Sequence, residues 1–384
     1  MKGLKNKYIL YIIAFFQGLV FYGAFATIYR LDRGLQLNEI FFLESIFVLL
    51  MMFFEIPWGV VGDKIGYKKT LNISFGLFLL SKVAFYYANS FNMFLLEAIL
   101  AALAISGISG CDSAILYGSI KEEDSDKTFG RYSACSTLGF LISSLLSGVM
   151  VKKSLDLLAL ATIMAYVVTF LLSFFLKDVK FESNEKKETI IESLKSSLVN
   201  KKILIFIILI AVISETTHSV CVFLNQPLYI RSGIDMKWFG ILAAFMQIAT
   251  FIAIRAHVVK KRIGRNKTYI VALILIIIAN AMLIVTNISY ITIVLIFIIE
   301  GSFAITQPLT ETIKNASIDS INRATILSAY AMIGNIVAAV CNIIIGFFAK
   351  ISLNSALITC VILNCIVFLI GYILIKNSKI LIKK

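Results

Sequence analysis

Gly59-Val60-Val61-Gly62-Asp63-Lys64-Ile65-Gly66-Tyr67-Lys68-Lys69 closes one long apolar run and precedes another. The stretch sets an acid, turn-permitting glycines and a basic cluster where the chain has to reverse. A reduced copy, Lys260-Lys261-Arg262-Ile263-Gly264-Arg265-Asn266-Lys267, again separates two apolar runs, with Gly264 standing 198 residues after Gly66 in a chain of 384. Lys261 takes the place of Asp63, so the copy has lost the acid. A spacing close to half the chain implies two related halves, and the apolar runs on either side of each copy imply that both are threaded through a membrane.

Composition supports this. The chain is 59% hydrophobic and 15% charged, with a mean hydropathy of +0.92, whereas soluble domains are about 45–50% apolar and about 25% charged. So much apolar surface needs a bilayer as its solvent. Backbone groups in lipid must be satisfied within a helix or a closed barrel, and the period-2 alternation of barrel strands is absent. Only three prolines occur, which suits long helices. The two histidines and six scattered cysteines have no metal-ligand or redox spacing, so no metal or cofactor is expected. Cys111, Cys135, Cys221, Cys341, Cys360 and Cys365 read as small apolar packing residues.

Twelve apolar stretches have spanning length, at roughly 8–30, 39–62, 70–88, 92–118, 131–151, 155–176, 203–230, 238–259, 268–286, 290–313, 324–349 and 353–375. The expected fold is an all-α integral membrane protein of twelve transmembrane helices in two pseudo-symmetric six-helix bundles. The halves are 1–176 and 203–384. A polar linker, 177–202, joins them and carries an amphipathic surface helix near Glu188 to Val199. With both termini cytoplasmic, the inner side holds 27 of the 36 Lys and Arg and the outer loops hold seven, as the positive-inside rule requires. The short basic N-terminus, Met1 to Lys7, reads as a cytoplasmic anchor for the first span and not as a cleaved signal. The +14 net charge is therefore a topology signal and an attraction to anionic membrane lipids. Its spread over many loops argues against nucleic acid as a partner.

These residues resemble the major facilitator superfamily. The loop signature of that family is Gly-x-x-x-Asp-(Arg/Lys)-x-Gly-Arg-(Arg/Lys), which this chain matches at Gly59, Asp63, Lys64, Gly66 and Lys68 and leaves at Tyr67. Glu55-Ile56-Pro57, Ser109-Gly110 through Tyr117, and Arg323-Ala324-Thr325-Ile326-Leu327-Ser328 look like bacterial drug-exporter-like members. The resemblance covers essentially the whole chain and specifies fold far better than substrate. It implies alternating access in a bacterial inner or plasma membrane, usually as a monomer. It also implies a gating latch in which Asp63, Arg131 and the start of span 11 at Arg323 close the inner side. The alternative is that the loop charges only set topology. The family's drug antiporters often carry a Gly-Pro element in span 5. Here that span reads Gly139-Phe140-Leu141-Ile142-Ser143-Ser144-Leu145-Leu146-Ser147-Gly148, which keeps small packing residues and lacks the proline.

In the family, spans 1, 4, 7 and 10 line the substrate cavity, and each carries polar groups here. Ionisable residues inside a bilayer are costly and usually functional or paired. Glu215 and His218 are spaced i and i+3, close enough to share a proton. Glu300, Gln307 and Glu311 fall on one stripe of span 10. The expected proton-coupling residues are Glu215 and His218, then Asp112, Glu300 and Glu311. The expected substrate contacts are Gln17, Tyr22, Ser109, Phe223, Asn225, Gln226 and Gln307. For each acid the alternative is a helix-holding pair with Lys82, Arg255 or another buried group. Glu44 ranks lower, as a residue facing the outer vestibule, and Glu55 as a brace for the latch. Pro227 and Pro308 place kinks in spans 7 and 10.

The reading is a proton-coupled exporter of small amphipathic, drug-like or peptide-like compounds. The alternative is an importer or uniporter of a polar metabolite. A membrane-embedded enzyme or sensor is a third class, but an enzyme needs a nucleophile–base pair or metal cluster, and none is visible.

Overall fold

A computed structural model describes residues 2–120, 122–179, 201–318 and 323–377. Among these every regular element is helical. The amphipathic helix expected near Glu188 to Val199 lies outside the described residues.

Among the described residues, eleven helices are long and apolar enough to cross a membrane: Lys5–Asp32, Leu37–Ile65, Phe91–Tyr117, Ser125–Met150, Leu155–Ser173, Lys201–Arg231, Met236–Ile263, Arg265–Val285, Ser289–Ala316, Ile326–Ala349 and Leu353–Ile373. Tyr67–Tyr87 is a further helix of 21 residues between the second and third of these. With Lys68, Lys69, Asn72 and Lys82 it is less apolar than the others. Counting it third gives spans 1 to 12, close to the boundaries expected from the sequence.

The chain divides into two compact units. One comprises Met1–Glu39, Ile46–Asn184 and Asp235–Ala244; the other comprises Ile40–Ser45, Glu185–Ile234 and Phe245–Lys384. The stretches Ile40–Ser45 and Asp235–Ala244 thus each group with the unit of the other half of the sequence.

The two halves repeat the same local structure. Gly66 (φ 91°, ψ 148°) and Gly264 (φ 85°, ψ 155°) precede helices of 21 residues each. This is a backbone region open essentially to glycine alone. One turn further on, Thr70 donates to the Gly66 carbonyl at 3.0 Å and Thr268 to the Gly264 carbonyl at 2.8 Å. A second correspondence lies at the opposite ends of the helices. In the first unit the Arg33 guanidinium donates to the Ala88 carbonyl at 3.2 Å and pairs with Asp156. In the second, Arg231 donates to the Thr286 carbonyl at 3.1 Å and to Asn354 Oδ1 at 2.6 Å. Each of these three positions recurs 198 residues on. An arginine therefore ties the ends of spans 1, 3 and 6 together, and another ties spans 7, 9 and 12.

The small residues of span 5 serve close packing. A Cβ on Gly139 would stand 2.1 Å from the Phe15 carbonyl oxygen, and one on Gly18 would stand 2.1 Å from that of Ser136. Spans 1 and 5 thus meet backbone to backbone, as the glycine in span 5 implied.

Three spans expected to line a cavity are interrupted. Span 1 is helical to Gly18 and again from Gly23. Span 6 supports the gap: Tyr166 donates to the Gln17 carbonyl at 3.1 Å, and Thr162 Oγ1 accepts from the Phe21 N–H at 3.0 Å. Span 4 breaks at Ser109 and Gly110, where Gly110 has φ 83°. Span 7 passes through a π-helical turn, Ser219–Leu224, just before Pro227. Proline offers no N–H to the carbonyl one turn back, and a π turn is one way to absorb that loss. The irregularity therefore falls upstream of the proline.

Candidate functional site

A group of ionisable side chains, Glu215 buried and His218, Glu300 and Glu44 half-buried, lies in the second unit around the π turn of span 7. Glu215, only 8% exposed, sits at the end of the regular helix, with its Oε1 3.4 Å from His218 Nδ1. Glu300, from span 10, interacts electrostatically with His218 and with the Cys221 thiol, which donates to the Ile296 carbonyl at 4.0 Å. Glu44, from span 2, acts on the same imidazole. Glu215 thus contacts the imidazole, and Glu44 and Glu300 act on it electrostatically from two other spans. The wall beside it is aromatic: the Phe223 ring meets the His218 ring edge-on at 5.1 Å and the Phe41 ring at 5.3 Å.

Such a group can hold and relay protons. An imidazole titrates nearest neutrality of all side chains and takes a proton on either nitrogen. Adjacent carboxylates make its charged form less costly in a poorly solvated setting. The fold also leaves hydrogen-bonding capacity open nearby. Thr217 Oγ1 and Ser219 Oγ, flanking His218, are buried without a partner among the described residues, and so are both amide atoms of Asn342. Asn342 adjoins Cys341, whose thiol interacts with Glu215.

The other expected coupling acids, Asp112 and Glu311, have partners of their own. Asp112, in the first unit, accepts hydrogen bonds from Tyr132 at 2.8 Å and from the Ser113 amide at 2.6 Å. It ties the helix that resumes after the span 4 break to span 5. Glu311 is exposed and pairs with Lys314 at 2.9 Å.

The substrate candidates are similarly divided. Phe223 belongs to the histidine group. Asn225 and Gln226 are 8% and 2% exposed, and Asn225 Oδ1 accepts from the Gln226 amide at 2.8 Å. Gln307 is exposed on span 10, and Ser109 is exposed at the span 4 break. Gln17 is half-buried beside the span 1 interruption. Tyr22 is buried there: its hydroxyl accepts from Lys82 Nζ at 3.0 Å and its ring stacks on Phe85 at 4.1 Å. Lys82 itself is 7% exposed. Its ammonium sits 4.5 Å from the Phe78 ring centroid and 5.3 Å from that of Tyr166, which partly replaces its lost hydration. Glu97 pairs with Arg30 at 3.4 Å.

At the gating candidates, Asp63 accepts from the Tyr67 hydroxyl at 3.3 Å. The carboxylate at the start of span 3 is that of Asp178, just past span 6, which accepts from the Lys68 amide at 3.3 Å and from the amide of its own neighbour Val179 at 3.1 Å. Gly59, Lys64 and Arg131 are exposed, and Gly66 and Lys68 are half-buried. Arg323 opens the helix of span 11, and its side chain lies outside the described residues.

Sequence reading missed several of these roles. Glu44 was ranked below the other acids because nothing in span 2 says which way it faces. Asp178 was unassigned, although an acid directly after a span is a common partner for a neighbouring helix terminus. The arginine ties were overlooked, although the 198-residue offset already found in the glycine loop also relates Arg33 to Arg231 and Asp156 to Asn354. No group of three or more His, Cys, Asp or Glu able to hold a metal occurs among the described residues.

Two sets of six helices with repeated loops, interrupted helices and buried polar groups define a membrane transporter and not an enzyme. Several solved structures are similar to it in shape. A mutant of the nucleoside transporter NupG superposes with a TM-score of 0.83 at 15% identity, covering 96% of this chain and 99% of that one. NupG itself gives 0.80 at 14%, covering 97% and 100%. A bacterial homolog to the human lysosomal transporter Spinster gives 0.71 at 14%, covering 98% of each. No curated protein sequence matches closely enough to count as a relative. The Major Facilitator Superfamily model matches residues 8–341, and the chain belongs to that family. It is a multi-pass membrane protein. The likeness to NupG and the Spinster homolog extends to the fold alone.

Proposed function

We propose that this protein is a proton-coupled exporter of small amphipathic compounds in which His218 and its three carboxylates carry the proton. The observation that supports this reading is the Glu215–His218 contact at 3.4 Å, with Glu44 and Glu300 acting electrostatically on the same imidazole. Protonation moves that group toward neutrality, and a change in buried charge alters which solvent-facing state costs less. Phe223 and Phe41 supply an apolar contact for the substrate. In this reading Asn225, Gln226 and Gln307 contribute further polar contacts, and Gln17, Tyr22 and Ser109 act through the interrupted helices. Asp112 and Glu311 serve the inner end of the pathway. Asp63, Lys64, Arg131 and Arg323, with the loop glycines Gly59 and Gly66 and with Lys68, form the gate. The protein acts as a monomer in the cell membrane with both termini in the cytoplasm.

Uptake of a polar metabolite is the second reading. It is favoured by the buried amides of Asn225, Gln226 and Asn342, which suit a substrate rich in hydrogen-bonding groups.

Purified protein in liposomes separates the two. A panel of amphipathic dyes and nucleosides is first ranked by thermal shift, then assayed under imposed pH gradients of either sign. Export by antiport predicts substrate movement against the proton gradient and proton release coupled to it. Glu215→Gln should remove the gradient dependence while leaving downhill exchange. Equal rates with and without a gradient at every pH would overturn proton coupling.

A further inference from the structure

An open groove runs along the second unit between spans 7, 9 and 12. It ends on span 7 at Ile213, two residues before Glu215, and has no role in the transport reading. Its walls are hydrocarbon along most of their length: Phe206, Leu209 and Ile213 from span 7 face Leu273 and Ile276 from span 9 and Phe368 from span 12. One end is polar, where Lys202 and Asn266 reach the lining.

Its length and charge point to one kind of occupant. The lining runs from Lys202 to Ile213 on span 7 and from Asn266 to Ile276 on span 9. At a rise of about 1.5 Å per residue each wall is about 15–17 Å long. A hydrocarbon core of about 30 Å makes this the depth of one leaflet. The polar end belongs to a basic face. Lys201 and Lys202 open span 7, Lys260, Lys261 and Arg262 close span 8, and Arg265 and Lys267 open span 9, with no Asp or Glu in either stretch. Six of these seven side chains are exposed, and Arg265 is half-buried. Glu311, the acid that acts on nearby Tyr269, is bonded to Lys314. Room is left on the span 12 side by Gly371, where a Cβ would meet nothing nearer than Leu209 Cδ1 at 4.0 Å.

We propose that this groove is a binding site for an anionic phospholipid of the inner leaflet. One acyl chain lies between spans 7, 9 and 12, and the headgroup phosphate is held by Lys202 and its basic neighbours. A zwitterionic lipid of the same chains gains the apolar contact and less of the electrostatic attraction. The site is therefore selective for the headgroup as well as for the chain.

Native mass spectrometry of the full-length protein in detergent tests this, with phosphatidylglycerol and phosphatidylcholine of identical chains added in turn. The wild type should retain one phosphatidylglycerol about fivefold more tightly than phosphatidylcholine, equivalent to ~1 kcal/mol for a lysine at an anionic lipid surface. Lys202→Gln should bring the two lipids close to equal retention. Gly371→Leu and, independently, Ile210→Trp should fill the groove and lower retention of both lipids. Thermal unfolding in lipid-free detergent checks that these variants are folded. Equal retention of the two lipids by the wild type, or unchanged selectivity in Lys202→Gln, would overturn headgroup recognition. Unchanged retention in a folded Gly371→Leu or Ile210→Trp protein would overturn the groove as the site.

Discussion

At the scale of single residues, the position that separates sequence reading from structure most clearly is Glu44. It lies 171 residues before Glu215 in the chain, yet both act on His218. If the three carboxylates work as one group, Glu44→Gln should reduce gradient-driven transport roughly tenfold, as Glu300→Gln should, an activation cost of about 1.4 kcal/mol. The comparison to make is proton-driven flux in liposomes at matched protein content. A Glu44→Gln protein with wild-type flux would reduce the group to its span 7 and span 10 members. The arginine ties permit a sharper contrast. The Asp156 side chain is half exposed, and surface pairs contribute only about 0–1 kcal/mol, so Asp156→Ala should barely change thermal stability. Arg231 instead donates to the Leu283 and Thr286 carbonyls and to Asn354. Losing charged hydrogen bonds of that kind costs about 1.5–3 kcal/mol. Arg231→Ala should therefore lower the unfolding temperature clearly more than Asp156→Ala, as read by thermal unfolding in detergent.

At the scale of elements, the two glycine loops offer a matched pair. Gly66 and Gly264 share a conformation that other residues enter at a cost of about 1–3 kcal/mol. They differ in surroundings. A Cβ on Gly66 would lie 2.2 Å from Asp178 Oδ2, whereas one on Gly264 meets nothing within 4 Å. Both alanine substitutions should destabilise, and Gly66→Ala should do so more, because it also displaces the carboxylate that caps span 3. Equal losses for the two would mean that Asp178 contributes nothing to the loop. The contact between spans 1 and 5 is less forgiving, since the obstructing atoms belong to backbone. Gly139→Val should cost ~3 kcal/mol or more by overpacking, visible as loss of the folded fraction in detergent. The spans themselves were legible because each carries about 20 apolar residues between charged ends. Their interruptions were only partly so. Gly110 and Pro227 mark two of them, but the gap in span 1 depends on Tyr166 and Thr162 of span 6.

At the scale of the molecule, the distribution of Lys and Arg predicts which loops face the cytoplasm. Single cysteines at Lys69 and Lys261 should escape a membrane-impermeant maleimide applied to intact cells, and cysteines at Lys152 and Lys350 should react. The reverse pattern would invert the topology proposed here and move the lipid groove to the other leaflet.

Helical class, the number of spans and the repeat at 198 residues are properties the sequence by itself determined. A bilayer leaves the backbone no alternative to internal hydrogen bonding, so length and apolarity suffice to locate each helix. The Gly66 and Gly264 loops then announce the repeat. Only the tertiary structure decided which polar groups meet. Several of these spans are apolar on most faces, so their sequences carry little signal for rotation about the helix axis. Packing sets that rotation, and it placed Glu44 and Glu300 where they act electrostatically on the histidine that Glu215 contacts, while leaving Asp112 with Tyr132 and Glu311 with Lys314.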